Sequence, residues 1–105
     1  MIKIPLKDMN DSVIECELDG VVYFLRMGWN GAAQSWAFSL ESANNDLLIS
    51  GVRVVTNALL LRNYHHLPVP TGELMAVAAD GRIEIGRDDF INGDVELVYL
   101  SANEL

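Results

Sequence analysis

Ser12-Val13-Ile14-Glu15-Cys16-Glu17-Leu18-Asp19-Gly20-Val21-Val22-Tyr23-Phe24-Leu25-Arg26-Met27-Gly28-Trp29 is the stretch from which the fold is read. Asp19-Gly20 suits the positive-φ positions of a two-residue hairpin turn, so the runs on either side are predicted to be paired antiparallel strands. Before the turn, Ile14, Cys16 and Leu18 share one face at period two. After it, Val21, Tyr23, Leu25, Met27 and Trp29 share one face, opposite Val22, Phe24, Arg26 and Gly28. The odd-numbered side of the second strand is the expected core face.

Outward from this hairpin the same grammar continues. Asn30-Gly31-Ala32-Ala33 reads as a loop, and Trp36, Phe38 and Leu40 alternate in a further strand. Residues 41–46 form a polar turn before a long strand over 47–55, where Gly51 marks a bulge or bend that would help a small sheet turn a corner and close. Ile2 and Ile4 form a short first strand, placed at an edge by Pro5, which lacks a ladder donor. Residues 73–79 read as a strand ended by Asp80-Gly81, with a short partner around Ile83 to Ile85, a loop over 87–93 and a closing strand over 94–100. The only helix-like stretch starts at Asn57, a good N-cap, although residues 57–66 read equally as an irregular crossing segment. Leu67-Pro68-Val69-Pro70-Thr71-Gly72 then runs extended, because each proline restricts its predecessor. The expectation is one all-β domain over residues 1–105: a small barrel or sandwich of about seven or eight mostly antiparallel strands with at most one short helical turn.

Composition narrows the function. A chain of 105 residues, half of them apolar, can bury one core. Seven basic residues against fifteen acidic ones give a net charge of −8, which repels nucleic acid and anionic lipid, so neither is expected as a partner. The acidity serves solubility or a basic neighbour protein. Cys16 is the only cysteine, which excludes an internal disulfide and a cysteine-based zinc site. Its place between Glu15 and Glu17 is the opposite of what a reactive thiolate needs, and a core thiol is expected. Residues 1–8 lack a signal-peptide apolar run and no segment nears the ~18 apolar residues of a membrane span, so a product made inside the cell without secretion signals is expected.

Few residues invite chemistry. His65-His66 are adjacent and on extended chain point to opposite sides, so they do not readily share an ion. Asp88-Asp89, with Asp80 and Asp94, lack the spacing of a calcium loop and read as turn residues. Ser50-Gly51 is no nucleophile elbow, and there is no phosphate loop. No catalytic residue, cofactor or metal ligand is assigned. Trp29 and Trp36 flank one hairpin and serve either as core packing or as an exposed stacking platform.

The ordered set Ile4-Pro5-Leu6, Leu18-Asp19-Gly20, Tyr23, Leu25, Trp29-Asn30, Trp36, Leu48, Gly51-Val52, Leu60-Leu61, Tyr64, Pro70-Thr71-Gly72-Glu73-Leu74, Arg87-Asp88-Asp89-Phe90 and Leu97-Val98-Tyr99 resembles the phage baseplate plug family over nearly the whole chain. One departure is Phe90-Ile91-Asn92-Gly93, where the family pattern leads one to expect a Leu-Gly pair. The resemblance implies a small β-rich, non-enzymatic protein of a contractile phage or prophage tail, present in the virion and made in the bacterial cytoplasm. It implies a seat at the baseplate axis, plugging or capping the hub or tail tube through contacts with baseplate neighbours. Trp29, Asn30, Trp36, Gly51, Leu61, Tyr64, Pro70, Gly72, Asp88 and Tyr99 are its structural signature. Arg62, Asn63, His65, His66 and Val69, in the proline-bounded loop, are the candidate partner contacts. Two other functions remain open on the residues: a glycan- or ligand-binding β module using Trp29 or Trp36, and a metal enzyme using His65, His66 and Asp88.

Overall fold

The Asp19-Gly20 hairpin forms as expected in a computed structural model that describes residues 1–82 and 84–104. Asp19 and Gly20 both have positive φ, 52° and 81°, as a primed two-residue turn requires. They join β2 (Asp11–Leu18) to β3 (Val21–Asn30), antiparallel and paired from Leu18 with Val21 to Asp11 with Gly28. β3 pairs with β4 (Ser35–Ser42), which sets Trp29 opposite Trp36, and β4 pairs with β5 (Leu47–Arg53). This makes a four-stranded sheet in the order β2-β3-β4-β5. A second, three-stranded sheet has the order β1-β7-β6, from β1 (Ile2–Lys3), β6 (Glu73–Ala78) and β7 (Val95–Leu100).

Alternation buries the inner faces of both sheets. Tyr23, Leu25, Met27, Trp36, Phe38, Leu40 and Ile49 from the first share one core with Leu74, Ala76, Ala78, Val95, Leu97 and Tyr99 from the second. Fully buried residues such as Leu25, Leu40 and Phe38 each contribute about 1.5–3 kcal/mol by leaving water. The odd-numbered face of β3 is thus the core face through its middle. Val21 is exposed and Trp29 only half-buried, since they stand at the two ends of the strand. Cys16 is likewise half-buried; burial first, then the Glu15 charge, raises its thiol above its ordinary value.

The sheets do not close into a barrel. Gly51 does mark an irregularity: it has φ 66°, the β4–β5 register shifts nearby, and its N–H donates to Ser39 Oγ at 3.3 Å. β5 ends at Arg53 rather than at residue 55, with Val54 N–H still donating to the Trp36 carbonyl. The chain then crosses to the second sheet and covers the outer edge of β6. Thr56 bridges Ala76, Asn57 N–H donates to the Ala76 carbonyl and Leu60 N–H to the Leu74 carbonyl.

Of the two readings of residues 57–66 the irregular crossing segment is the one found, and two other local expectations, over 87–93 and around 83–85, are corrected. Asn57 starts no helix: its φ is 54°, and its side-chain oxygen accepts from Ala78 N–H, so the residue is spent on the sheet edge. The expected loop over 87–93 instead holds a one-turn helix, α1 (Asp89–Asn92), closed by Gly93 at φ 82°. Asp89 holds that turn by accepting Gly86 N–H at 2.6 Å, and Phe90 packs edge-on against Trp36. Of the strand expected around 83–85, Ile83 lies outside the described residues, and Glu84 and Ile85 are not in a strand. A 3-10 turn, Ala102–Glu104, ends the described chain, with Glu104 paired to the amino group of Met1.

Candidate functional site

The proline-bounded segment after β5 is built from short-range turns. Tyr64 N–H donates to the Leu61 carbonyl, Leu67 N–H to that of Tyr64 and Val69 N–H to that of Leu67, all at 2.8–2.9 Å. Such a chain of tight turns needs anchors. Leu60 and Leu61 supply apolar ones, both buried in the common core. A polar anchor comes from Glu73, the first residue of β6, which is only 3% exposed. Its Oε1 accepts Leu61 N–H at 2.7 Å, and its Oε2 lies 2.9 Å from Nε2 of His65. A buried carboxylate is tolerated only with such partners.

This arrangement divides the candidate contacts. Arg62, Asn63 and His66 are exposed, while His65 is exposed but turned onto Glu73. Val69 belongs to the core instead, because the turn at Leu67 brings it inward beside the fully buried Pro70. The two histidines are not brought together over an ion. Among the described residues, no three His, Cys, Asp or Glu side chains are grouped to hold a metal.

Several of the signature residues have structural partners. Asn30 Oδ1 accepts from Ala32 and Ala33 N–H at 3.1 Å each, which shapes the β3–β4 turn. Trp36 is buried, donates its indole N–H to the Gly86 carbonyl at 3.4 Å, and packs between Trp29, Phe90 and the Arg87 guanidinium. It therefore offers no stacking face; Trp29, 5.3 Å from it, is half-buried. Tyr99 is completely buried, and its hydroxyl donates to Asp19 at 2.6 Å and accepts Gly72 N–H at 2.8 Å. One phenol thus ties the hairpin turn of the first sheet to the entry of β6 in the second. Burial first, and then the Asp19 carboxylate, push its ionisation up to about 12.

Gly72 lies in the bend that leads into β6. A side chain there would collide with the Leu100 carbonyl and the Tyr99 ring, so close approach is what demands glycine. Asp88 is exposed at the start of α1 and lies 3.4 Å from Arg87, which also reaches Asp8 at 3.2 Å. The remaining aspartates of this region gather on Arg82: Asp80 at 2.7 Å, Asp89 at 2.8 Å and Asp94 at 3.9 Å. Hydrogen bonds from Arg82 hold the Asp80 carboxyl below its usual range. The cluster is an internal salt-bridge network around an arginine.

These contacts make a scaffold that presents a pinned surface loop. A family model described as "Cyanophage baseplate Pam3 plug gp18" matches residues 1–102. The chain belongs to this baseplate plug family. It is accordingly a structural component of a phage tail baseplate, placed in the virion tail among other baseplate or tail proteins, and family membership speaks for a non-enzyme. No curated protein matches the chain.

Among the described residues, no buried side-chain nitrogen or oxygen lacks a partner, so the interior is spent on holding shape. Two features of the site were not legible from residue types. Glu73 reads as the polar opening of a strand, and only its position ahead of the apolar run Leu74-Met75-Ala76-Val77-Ala78 hinted at burial. Nothing in the sequence pairs Tyr99 with Asp19, eighty residues apart.

Proposed function

We propose that this plug-family chain sits on the axis of the baseplate and closes the central hub or the end of the tail tube by protein contacts, without catalysing a reaction. The observation that carries the reading is the family match over residues 1–102, nearly the whole chain. The physical form agrees with it: two cross-tied sheets of 30 × 27 × 22 Å, with hydrogen-bonded buried polar groups and a loop held down by Glu73. The exposed Arg62, Asn63 and His66 on that loop are proposed contacts, with His65 held behind them. Synthesis in the host cytoplasm before tail assembly belongs to the same proposal.

Cryo-electron microscopy of tails with and without the chain tests the position. The expected result is a density of these dimensions on the axis, lost when the gene is deleted, together with tails that fail to assemble or to retain their contents. A peripheral position, or deleted tails that infect normally, overturns the proposal.

A further inference from the structure

At one end of the four-stranded sheet the β2–β3 and β4–β5 turns stand side by side. Between them and Pro68 lies a groove of about 590 Å³. Its walls include Val21, Val22, Leu47 and Leu48, and Val21 and Leu47 are 51% and 62% exposed. Neither is needed to fill the core, so solvent covers apolar surface that the fold leaves open. Val21 continues the β3 face that buries Tyr23, whereas β5 shifts register between its Leu40–Ile49 and Glu41–Leu47 pairs, so Leu47 leaves the alternation that buries Ile49.

The rim carries one sign of charge. Among the described lining residues Asp46 alone is charged, and its carboxylate has no cation within ion-pair distance among the described residues. Asp19, in the turn two residues before Val21, does not itself line the groove but lies close enough to the lining residue Tyr23 that, after burial, its charge is the next cause raising that hydroxyl. Both partners of Asp19, Tyr99 and Thr71, are neutral hydroxyls, so its charge is not offset there.

We infer that this groove receives an apolar side chain from a neighbouring baseplate protein, carried on a segment with Lys or Arg beside it to meet Asp46 and Asp19. The inference rests on the proposed baseplate seat and names a contact surface beyond the 62–69 loop, to which Pro68 joins it. Charge selects the occupant. A second copy brings −8 against −8 and another carboxylate rim, which disfavours self-association. A sugar would meet aliphatic walls rather than an open aromatic face.

A photo-reactive p-benzoylphenylalanine at position 47, in tails assembled with that chain, tests the contact directly. The expected product joins position 47 to a different baseplate protein, at an apolar residue with Lys or Arg within a few positions. Val21→Lys, Leu47→Lys and Asp46→Lys are each expected to lower the amount of chain per purified tail roughly tenfold, the scale of one lost interface anchor. Asn103→Lys, in the terminal 3-10 turn, is expected to leave it unchanged. Asp46 lies outside the strands with an exposed side chain, so its variant reports on contact rather than folding; melting curves verify this for all four. A cross-link to a second copy, to a segment without cations or to nothing overturns the inference, as does normal incorporation of the groove variants. Absence of the unaltered chain from tails would instead overturn the baseplate seat itself.

Discussion

Tyr99 and Gly72 meet through a hydroxyl and a backbone N–H, and the exchange has a measurable signature in pH. The phenol ionises ordinarily near 10.0 and in the fold at about 12, because burial and Asp19 both resist a second negative charge. A group whose folded value is raised stabilises the fold fully below its unfolded value and loses that contribution as pH climbs through the folded one. Stability is therefore predicted to fall between about pH 10 and pH 12 from this residue, with Tyr23, also raised, adding to the same slope. Tyr99→Phe removes the hydroxyl and leaves Gly72 N–H without its partner, at a cost of about 1–3 kcal/mol at neutral pH. Denaturant melts of both proteins across this range test the prediction. Parallel pH profiles would show that Tyr99 does not titrate late.

At the scale of elements, the polar anchor of the loop over 61–67 is one carboxylate in another element, beside the buried Leu60 and Leu61. Glu73→Ala removes the acceptor of Leu61 N–H and the partner of His65. Hydrogen bonds to charged groups contribute about 1.5–3 kcal/mol, so amide exchange at Leu61, Tyr64 and Leu67 is predicted to quicken by tenfold or more. Glu73→Gln, which keeps an oxygen for Leu61, should produce a smaller change. Exchange mass spectrometry decides it, and unaltered rates through 61–67 would show that Leu60 and Leu61 hold the loop alone. The hairpin elements were legible because their causes are local: Asp19-Gly20 sets the turn, and alternation sets the buried face. Over 57–66 the crossing-segment reading holds and the N-cap reading fails, since the Asn57 N–H and side chain are claimed by Ala76 and Ala78 of β6, a tertiary demand that overrides a good N-cap. The α1 turn leaves no sequence signal for the opposite reason, being too short for any periodicity and marked only by Gly93 after it. In the proline-bounded loop, exposed Arg62, Asn63 and His66 follow from polarity and proline spacing. The burial of Val69 follows only from the path of the neighbouring strands.

For the whole molecule the governing quantity is charge. Lys3, Arg26, Arg82 and Arg87 already stand within ion-pair distance of carboxylates, yet the sum remains −8. Two opposing effects of salt follow. Screening weakens exposed ion pairs worth about 0–1 kcal/mol each, and it also relieves repulsion among the excess carboxylates. The first is small because most of these pairs are exposed at one or both partners. The second acts over longer distances, and the screening length falls from about 30 Å at 0.01 M salt to about 10 Å at 0.1 M, shorter than the molecule's smallest dimension of 22 Å. Relief of repulsion thus outweighs the loss of ion pairing, and the melting temperature of the isolated chain is predicted to rise as sodium chloride goes from about 0.01 to about 0.5 M. A net gain of about 1 kcal/mol would move it by roughly 4–8 °C in a domain of this size. Calorimetry in the two salts measures the shift. A lower melting temperature at high salt would mean that the Arg82 and Arg87 networks outweigh the surplus of acid, and would remove the reason for expecting a basic neighbour to gain by covering it.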